Sequence, residues 1–173
     1  MAISLYDVTV GSFMQVLGGV AGFLDKGAAH CKAKGIDLKE VVETRLYPDM
    51  LPFRFQVIAV AHHSLGAIKG VQAGLFQPPS GPMDQDYAAL QKLIGDARAD
   101  LQKFDRKAIE ALEGKDVVFK LGERQLPFTA ENFLLSFSFP NFYFHATTAY
   151  DILRMKGTPI GKRDFMGAMR MKG

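Results

Sequence analysis

Ile3, Tyr6, Val10, Phe13, Leu17, Val20 and Leu24 recur at alternating steps of three and four. That spacing lines one stripe of an amphipathic helix. Gly11, Gly18, Gly19 and Gly22 interrupt the stretch, each at a cost of up to about 1 kcal/mol relative to alanine. They are tolerable where glycine lets another element approach closely, and Gly35 is the expected stop. Asp37 with Glu40 has the pattern of an N-cap pair, opening a short helix through about Arg45. LYPDMLP (46–52) turns the chain, and Pro52 suits the first turn of a second long helix. There Phe53, Val57, Val60, Ala61, Ser64, Ile68 and Val71 share a face. QPPSGP (77–82) reads as a linker, because its prolines and glycine cannot continue a helix. A third helix has its seam at Tyr87, Leu90, Ile94, Ala97, Leu101, Phe104, Ala108 and Leu112, with Lys92, Asp96, Lys103, Lys107 and Glu110 over much of the rest. At about 27 residues and 1.5 Å each it would be a rod of roughly 40 Å, ending at Gly114.

The period then changes. Two β-type runs within Asp116 to Phe128 flank Gly122-Glu123, a pairing that suits a two-residue hairpin turn with glycine first. An isolated hairpin is marginal, so this one should pack on the helices. TAENFLLSFSF (129–139) is expected to form a helical turn before Pro140, which opens the fourth helix, NFYFHATTAYDILRMK, closed by Gly157. The last 16 residues carry no long periodic signal and should lie across the bundle or fray. The expected fold is all-α: a four-helix bundle with a short helix after the first helix and a small β-hairpin before the fourth. No internal break separates two cores, so residues 1–173 are expected to form a single domain.

Composition refines this picture without redirecting it. With 48% hydrophobic and 23% charged residues the chain has an ordinary soluble balance, and fourteen Phe with no Trp point to a Phe-rich core. A net charge of +3 is too small for a nucleic-acid face. The lone Cys31 excludes an intrachain disulfide and a cysteine-cluster metal site. The first residues carry Asp7 and no early Lys or Arg, unlike a signal peptide, and no uncharged apolar run reaches the roughly 20 residues of a membrane span. A cytoplasmic protein with no membrane or nucleic-acid partner is expected.

Candidate chemistry is sparse. His62 and His63 are adjacent and point about 100° apart on a helix, so one at most faces an inner site; His62, flanked by Phe55, Ile58 and Leu65, is the better candidate. His145 shares a face with Phe142, Ala146, Ala149 and Ile152. A neutral imidazole there needs a donor and an acceptor, with Tyr6, Tyr47, Ser64, Asn141 and Thr148 as possible partners. The candidate pocket is therefore His145, Asn141, Tyr150, Tyr47 and His62, with no metal assigned to it. GTPIGKRD (157–164) falls short of a phosphate loop: its glycines are one residue too close, and Arg163 stands where Ser or Thr belongs. It reads as a turn with surface ion pairs. Cys31 reads as non-reactive, and no serine has a hydrolase-elbow context. FLLSFSFPNFYFH (133–145) holds more aromatic surface than one helix face can bury, so part of it should meet the hairpin, the C-terminal tail or a second copy of the chain.

LYPDMLPF and NFYFHATTAYDILRMKGTPIGKRDFMG resemble a bacterial domain-of-unknown-function family of about this length, similar in fold to the DinB/YfiT-like helical bundles. The resemblance covers nearly the whole chain and implies that bundle topology. Many DinB-like proteins carry three metal-binding histidines, one on the second helix and an H-x-x-x-H pair on the fourth. By position, His62 or His63 stands near the first place and His145 near a fourth-helix place, while Ala149 fills the place of the third ligand. The leading functional expectation is a non-catalytic, homodimeric small-molecule or protein binder that needs no cofactor. The alternative is a DinB-like metal-dependent transferase or hydrolase with Zn or Ni at an incomplete histidine site. A metal-free enzyme with His145 as general base beside Asn141 and Tyr150 is a third reading.

Overall fold

The computed structural model describes residues 3–172. The first apolar stripe forms α1 (Leu5–Val8) and α2 (Val10–Lys34), broken at Thr9, whose hydroxyl donates to the Leu5 carbonyl at 2.6 Å. Val10, Phe13, Leu17, Val20 and Leu24 are buried as their spacing predicts, but Ile3 lies outside the stripe at 79% exposed. The run Leu5–Lys34 has the length and hydropathy of a membrane-crossing helix, yet its apolar positions are used in the protein core. Asp37 caps α3 (Leu38–Glu43) through the Lys39 amide, and Pro52 precedes α4 (Phe53–Ala61).

The second and fourth helical segments are wound differently from expectation. Between α4 and α5 (Ala67–Ala73) the chain makes a π turn, His62–Gly66. A second π segment, Phe133–Ser138, joins α8 (Ala130–Asn132) to α9 (Phe139–Met155). The fourth segment therefore begins at Ala130, ten residues before Pro140. Proline lacks an N–H and its ring collides with the carbonyl four residues back; the wider i→i+5 winding just before it relieves that conflict. The two π segments are tied together, Ser138 Oγ donating to the His63 carbonyl at 2.8 Å.

The third rod is shorter than predicted. α6 (Tyr87–Leu101) stops at Gln102, and α7 (Arg106–Glu110) starts afresh under Asp105, whose carboxylate accepts the Ala108 amide at 3.1 Å. The restart turns the seam by one residue: Ile109 is buried and Ala108 exposed. α2 packs on α6 and α9, and α4 packs on the same two, which places one apolar cluster from Leu5 to Ile160 between them. The molecule is mostly helical, with shorter and more numerous helices than four uninterrupted rods.

The hairpin forms as its sequence predicts, β2 (Asp116–Leu121) antiparallel to β3 (Arg124–Thr129), with Gly122 at φ 58° in the turn. A third strand was not expected: β1 (Leu75–Phe76) follows α5 and pairs parallel with β2, Phe76 opposite Phe119. The surplus aromatics meet here. Phe133 and Phe137 pack on Phe76, Phe119 and Phe128, with ring centroids 4.6 to 6.3 Å apart.

The C-terminal residues lie across the bundle. The short α10 (Lys162–Met166) rests on α2, where Gln15 donates to the Met166 carbonyl and Lys26 pairs with Asp164 at 2.5 Å. Gly19 is the contact point, since a Cβ there would run into the carbonyls of Asp164 and Phe165. Backbone cannot yield as a side-chain tip can, so Gly19→Ala should cost about 1–3 kcal/mol despite alanine's better helix propensity. A lowered urea midpoint together with faster proteolysis after Gly157 checks this; an unchanged midpoint would show that α10 does not depend on the contact.

Candidate functional site

Three imidazoles stand in a row where α4, its π turn and α9 meet. The rings of His62 and His63 are 5.4 Å apart, and those of His63 and His145 are 5.9 Å apart and stacked within 14° of parallel. His63, at 9% exposed, is the histidine that faces His145; the sequence had favoured His62. The error lies in the winding: a helical wheel at 3.6 residues per turn misplaces side chains where the turn widens to i→i+5.

His145 bonds through Nδ1 to Gln56 Oε1 at 2.7 Å. The Gln56 amide nitrogen donates to the Leu51 carbonyl at 2.7 Å, so its oxygen faces the imidazole, and the neutral His145 donates from Nδ1 and keeps a lone pair on Nε2. None of the partners expected for His145 is used. Ser64, Asn141 and Thr148 turn back onto the Val60, Phe137 and Phe144 carbonyls of their own helices, as short polar side chains in helices commonly do. Burial pushes His145 down to about 4. It also pushes His63 down to about 3, helped by the neighbouring imidazoles His62 and His145. His63 Nδ1 is buried with no hydrogen-bond partner among the described residues.

The predicted pocket is not assembled. Tyr150 packs between Phe23 and Phe165 near the C-terminal segment, its hydroxyl 3.5 Å from the Ile160 carbonyl. Tyr47 is 66% exposed in the loop before α4. His62 faces a different space from His145. At neutral pH His145 stays unprotonated but is a weak base, and neither Asn141 nor Tyr150 is placed to help it, so the general-base constellation is not formed.

The donor set also does not fit a three-histidine metal centre. His62 Nε2 lies 2.8 Å from the Gln77 carbonyl and must carry the proton there. His145 Nδ1 bonds to Gln56, which leaves only its Nε2 lone pair to a ligand, and the rings of His63 and His145 lie 5.9 Å apart and near parallel. Among the described residues no group of three or more His, Cys, Asp or Glu side chains is disposed to hold a metal ion. Cys31 is buried and desolvation raises its thiol. The 157–164 turn keeps Asp164 for Lys26 and the Gly161 amide.

A well-formed concavity adjoins this row. A groove of about 640 Å³ runs between the α4–α5 segment and α6, roofed by residues 77–82. Ile58, Leu65, Phe76 and Leu93 supply apolar wall, and His62 opens into it. Its size falls within the range of small-molecule sites, roughly 300–1,000 Å³. Sequence alone does not announce it, because the prolines and glycine of QPPSGP read as a linker. Gln56, just ahead of the apolar run VIAVA, was the available hint of a buried polar contact. A second concavity, of about 530 Å³, lies between α1 and residues 110–135 and is walled partly by Glu110, Glu113 and Glu131.

Comparison with known proteins agrees with the fold. The family described as "Domain of unknown function (DUF1993)" matches residues 5–166. The crystal structure of a DinB family member protein from Shewanella denitrificans superposes with a TM-score of 0.81 at 27% identity, covering 98% of this chain and 95% of that one. Among curated proteins none matches the sequence.

Proposed function

We propose, since this chain belongs to the DUF1993 family and has a DinB-like fold, that it is a helical bundle that binds a small molecule without transforming it. The observation that carries this reading is the apolar groove beside His62. Its wall is rigid helix on two sides, and a few polar groups interrupt an otherwise greasy surface, the composition typical of ligand sites. Two nitrogens of the histidine row, His62 Nε2 and His145 Nδ1, bond to the Gln77 carbonyl and the Gln56 side-chain amide, which supports a positional role for those rings.

The neutral fluorophore N-phenyl-1-naphthylamine tests the groove. Its emission should rise to saturation near one equivalent, and Ala73→Trp should abolish the rise. Ala73 lines the groove yet is exposed, so the indole fills the space without entering the core. A signal that never saturates, or that Ala73→Trp leaves intact, would contradict the reading.

A homodimer belongs to the same proposal. Leu135, Tyr143 and Phe144 remain exposed along the fourth segment after the hairpin has taken its share of the aromatics, and apolar residues gathered on one helix suit an isologous contact. Sedimentation at micromolar concentration should give twice the chain mass, and Phe144→Asp should halve it. A wild-type monomer would remove the dimer and leave the groove untouched.

A further inference from the structure

We infer that the groove selects a neutral, largely apolar molecule carrying one hydrogen-bond donor, which it gives to His62 Nδ1. This rests on the groove being a ligand site. The tautomer follows from one contact: Nε2 is 2.8 Å from the Gln77 carbonyl, a carbonyl only accepts, and so Nε2 holds the proton and Nδ1 a lone pair. No group among the described residues donates to that lone pair, and, unlike the Nδ1 of His63, it is not fully buried. Gly66 keeps it open. A Cβ at position 66 would stand 3.1 Å from Nδ1 and 3.7 Å from Cγ, and both residues line the groove. Phe76, with its ring centroid 4.4 Å from that of His62, braces the other side of the imidazole. The result is a fixed acceptor at an apolar wall.

Charge selects neutrality. The two ionic side chains of the lining are occupied elsewhere, Lys69 with Asp100 at 3.5 Å and Asp96 with Lys92 at 2.6 Å. Gln85 spends its amide nitrogen on the Pro82 carbonyl. An anion or cation entering the groove would lose water without finding a free counter-charge. A hydroxyl or N–H on an apolar frame loses nothing, because His62 replaces the water that it gives up.

Indole and indene share shape and differ in the N–H, so they separate the two claims. Dissociation constants for both, measured by ligand-detected NMR on the full chain at pH 7.5, give a ratio in which the common apolar transfer cancels between variants. In His62→Phe the preference for indole over indene should fall by about three- to ten-fold, the worth of one net hydrogen bond. Gly66→Ala should lower it similarly while keeping the imidazole; Gly66 has φ −60° and ψ −38°, which alanine adopts freely, so this variant answers even if His62→Phe fails to fold. If both probes bind and the ratio is the same in wild type and Gly66→Ala, the donor preference is wrong and the groove stands. Binding of neither probe to the wild type would overturn the groove and this inference together.

Discussion

Acidification from pH 7.5 to 4.5 is expected to remove on the order of 3–5 kcal/mol of stability, with His63 and His145 as the main cause. Burial holds His63 at about 3 and His145 at about 4 in the folded protein, against about 6.5 in the unfolded chain. The sign follows from proton counts. Below pH 6.5 the unfolded chain takes up protons that the fold refuses, so stability is complete above that value. It is lost as the pH falls toward the folded values, at about 1.4 kcal/mol per unit for each fully buried imidazole. His145 is only half-buried and contributes less than its full share. The carboxyls held low by partners, Asp7 at about 2, Asp100, Glu131 and Asp164, lose most of their contribution at still lower pH. That leaves most of the window from 7.5 to 4.5 to the histidines, with His62, also lowered by burial, adding to the two. A loss of this size is a large part of a typical domain's 5–15 kcal/mol. His63→Leu should flatten the slope by about half in urea titrations at several pH values. It should also cost little at pH 7.5, since it removes a nitrogen that has no partner. An unaltered slope in His63→Leu would place the acid sensitivity elsewhere.

Phe133→Ala should be among the most damaging single substitutions, at about 3–5 kcal/mol. The ring is fully buried and stands 4.9 Å from Phe76, 5.5 Å from Phe137 and 5.9 Å from Phe128. It therefore fastens the three-stranded sheet to the helices, and truncation both loses apolar burial and opens a cavity among stiff rings that cannot collapse into it. Because Phe76 is also groove wall, the variant should bind N-phenyl-1-naphthylamine more weakly than its residual fold would suggest. Chemical denaturation gives the stability; a cost below about 1 kcal/mol would mean that the sheet does not depend on this anchor.

The hydrophobic spacing made much of the architecture legible. Phe13, Leu17, Val20 and Leu24, then Val57, Val60 and Ile68, then Leu90, Ile94 and Leu101 are buried as their steps of three and four require. What spacing conceals is a change of winding within an apolar run, because either winding leaves the same residues greasy. Phe133–Ser138 falls in such a run, and His62–Gly66, HHSLG, follows one directly; with them went the true start of the fourth segment and the choice between His62 and His63. The break at Gln102–Asp105 was more accessible: Asp105 stands three residues before the Ala108 amide that it caps, but an unbroken stripe outweighed that single polar signal. β1 is two residues long and exists only because β2 lies beside it, so nothing local could announce it. The site suffered most. His145, Asn141 and Tyr150 share one helix in sequence, yet Asn141 and Tyr150 are turned to other partners, while Gln56, 89 positions before His145, supplies the bond that orients it.

The groove beside His62 carries the functional account, and locating a bound molecule tests it most directly. In ¹H–¹⁵N spectra of the labelled full chain titrated with N-phenyl-1-naphthylamine, the amides of Leu65, Gly66, Phe76, Gln77 and Leu93 should shift together and saturate with one dissociation constant. Shifts gathered instead at Tyr143 and Phe144, or around the acidic concavity of Glu110, Glu113 and Glu131, with the groove amides unmoved, would contradict it.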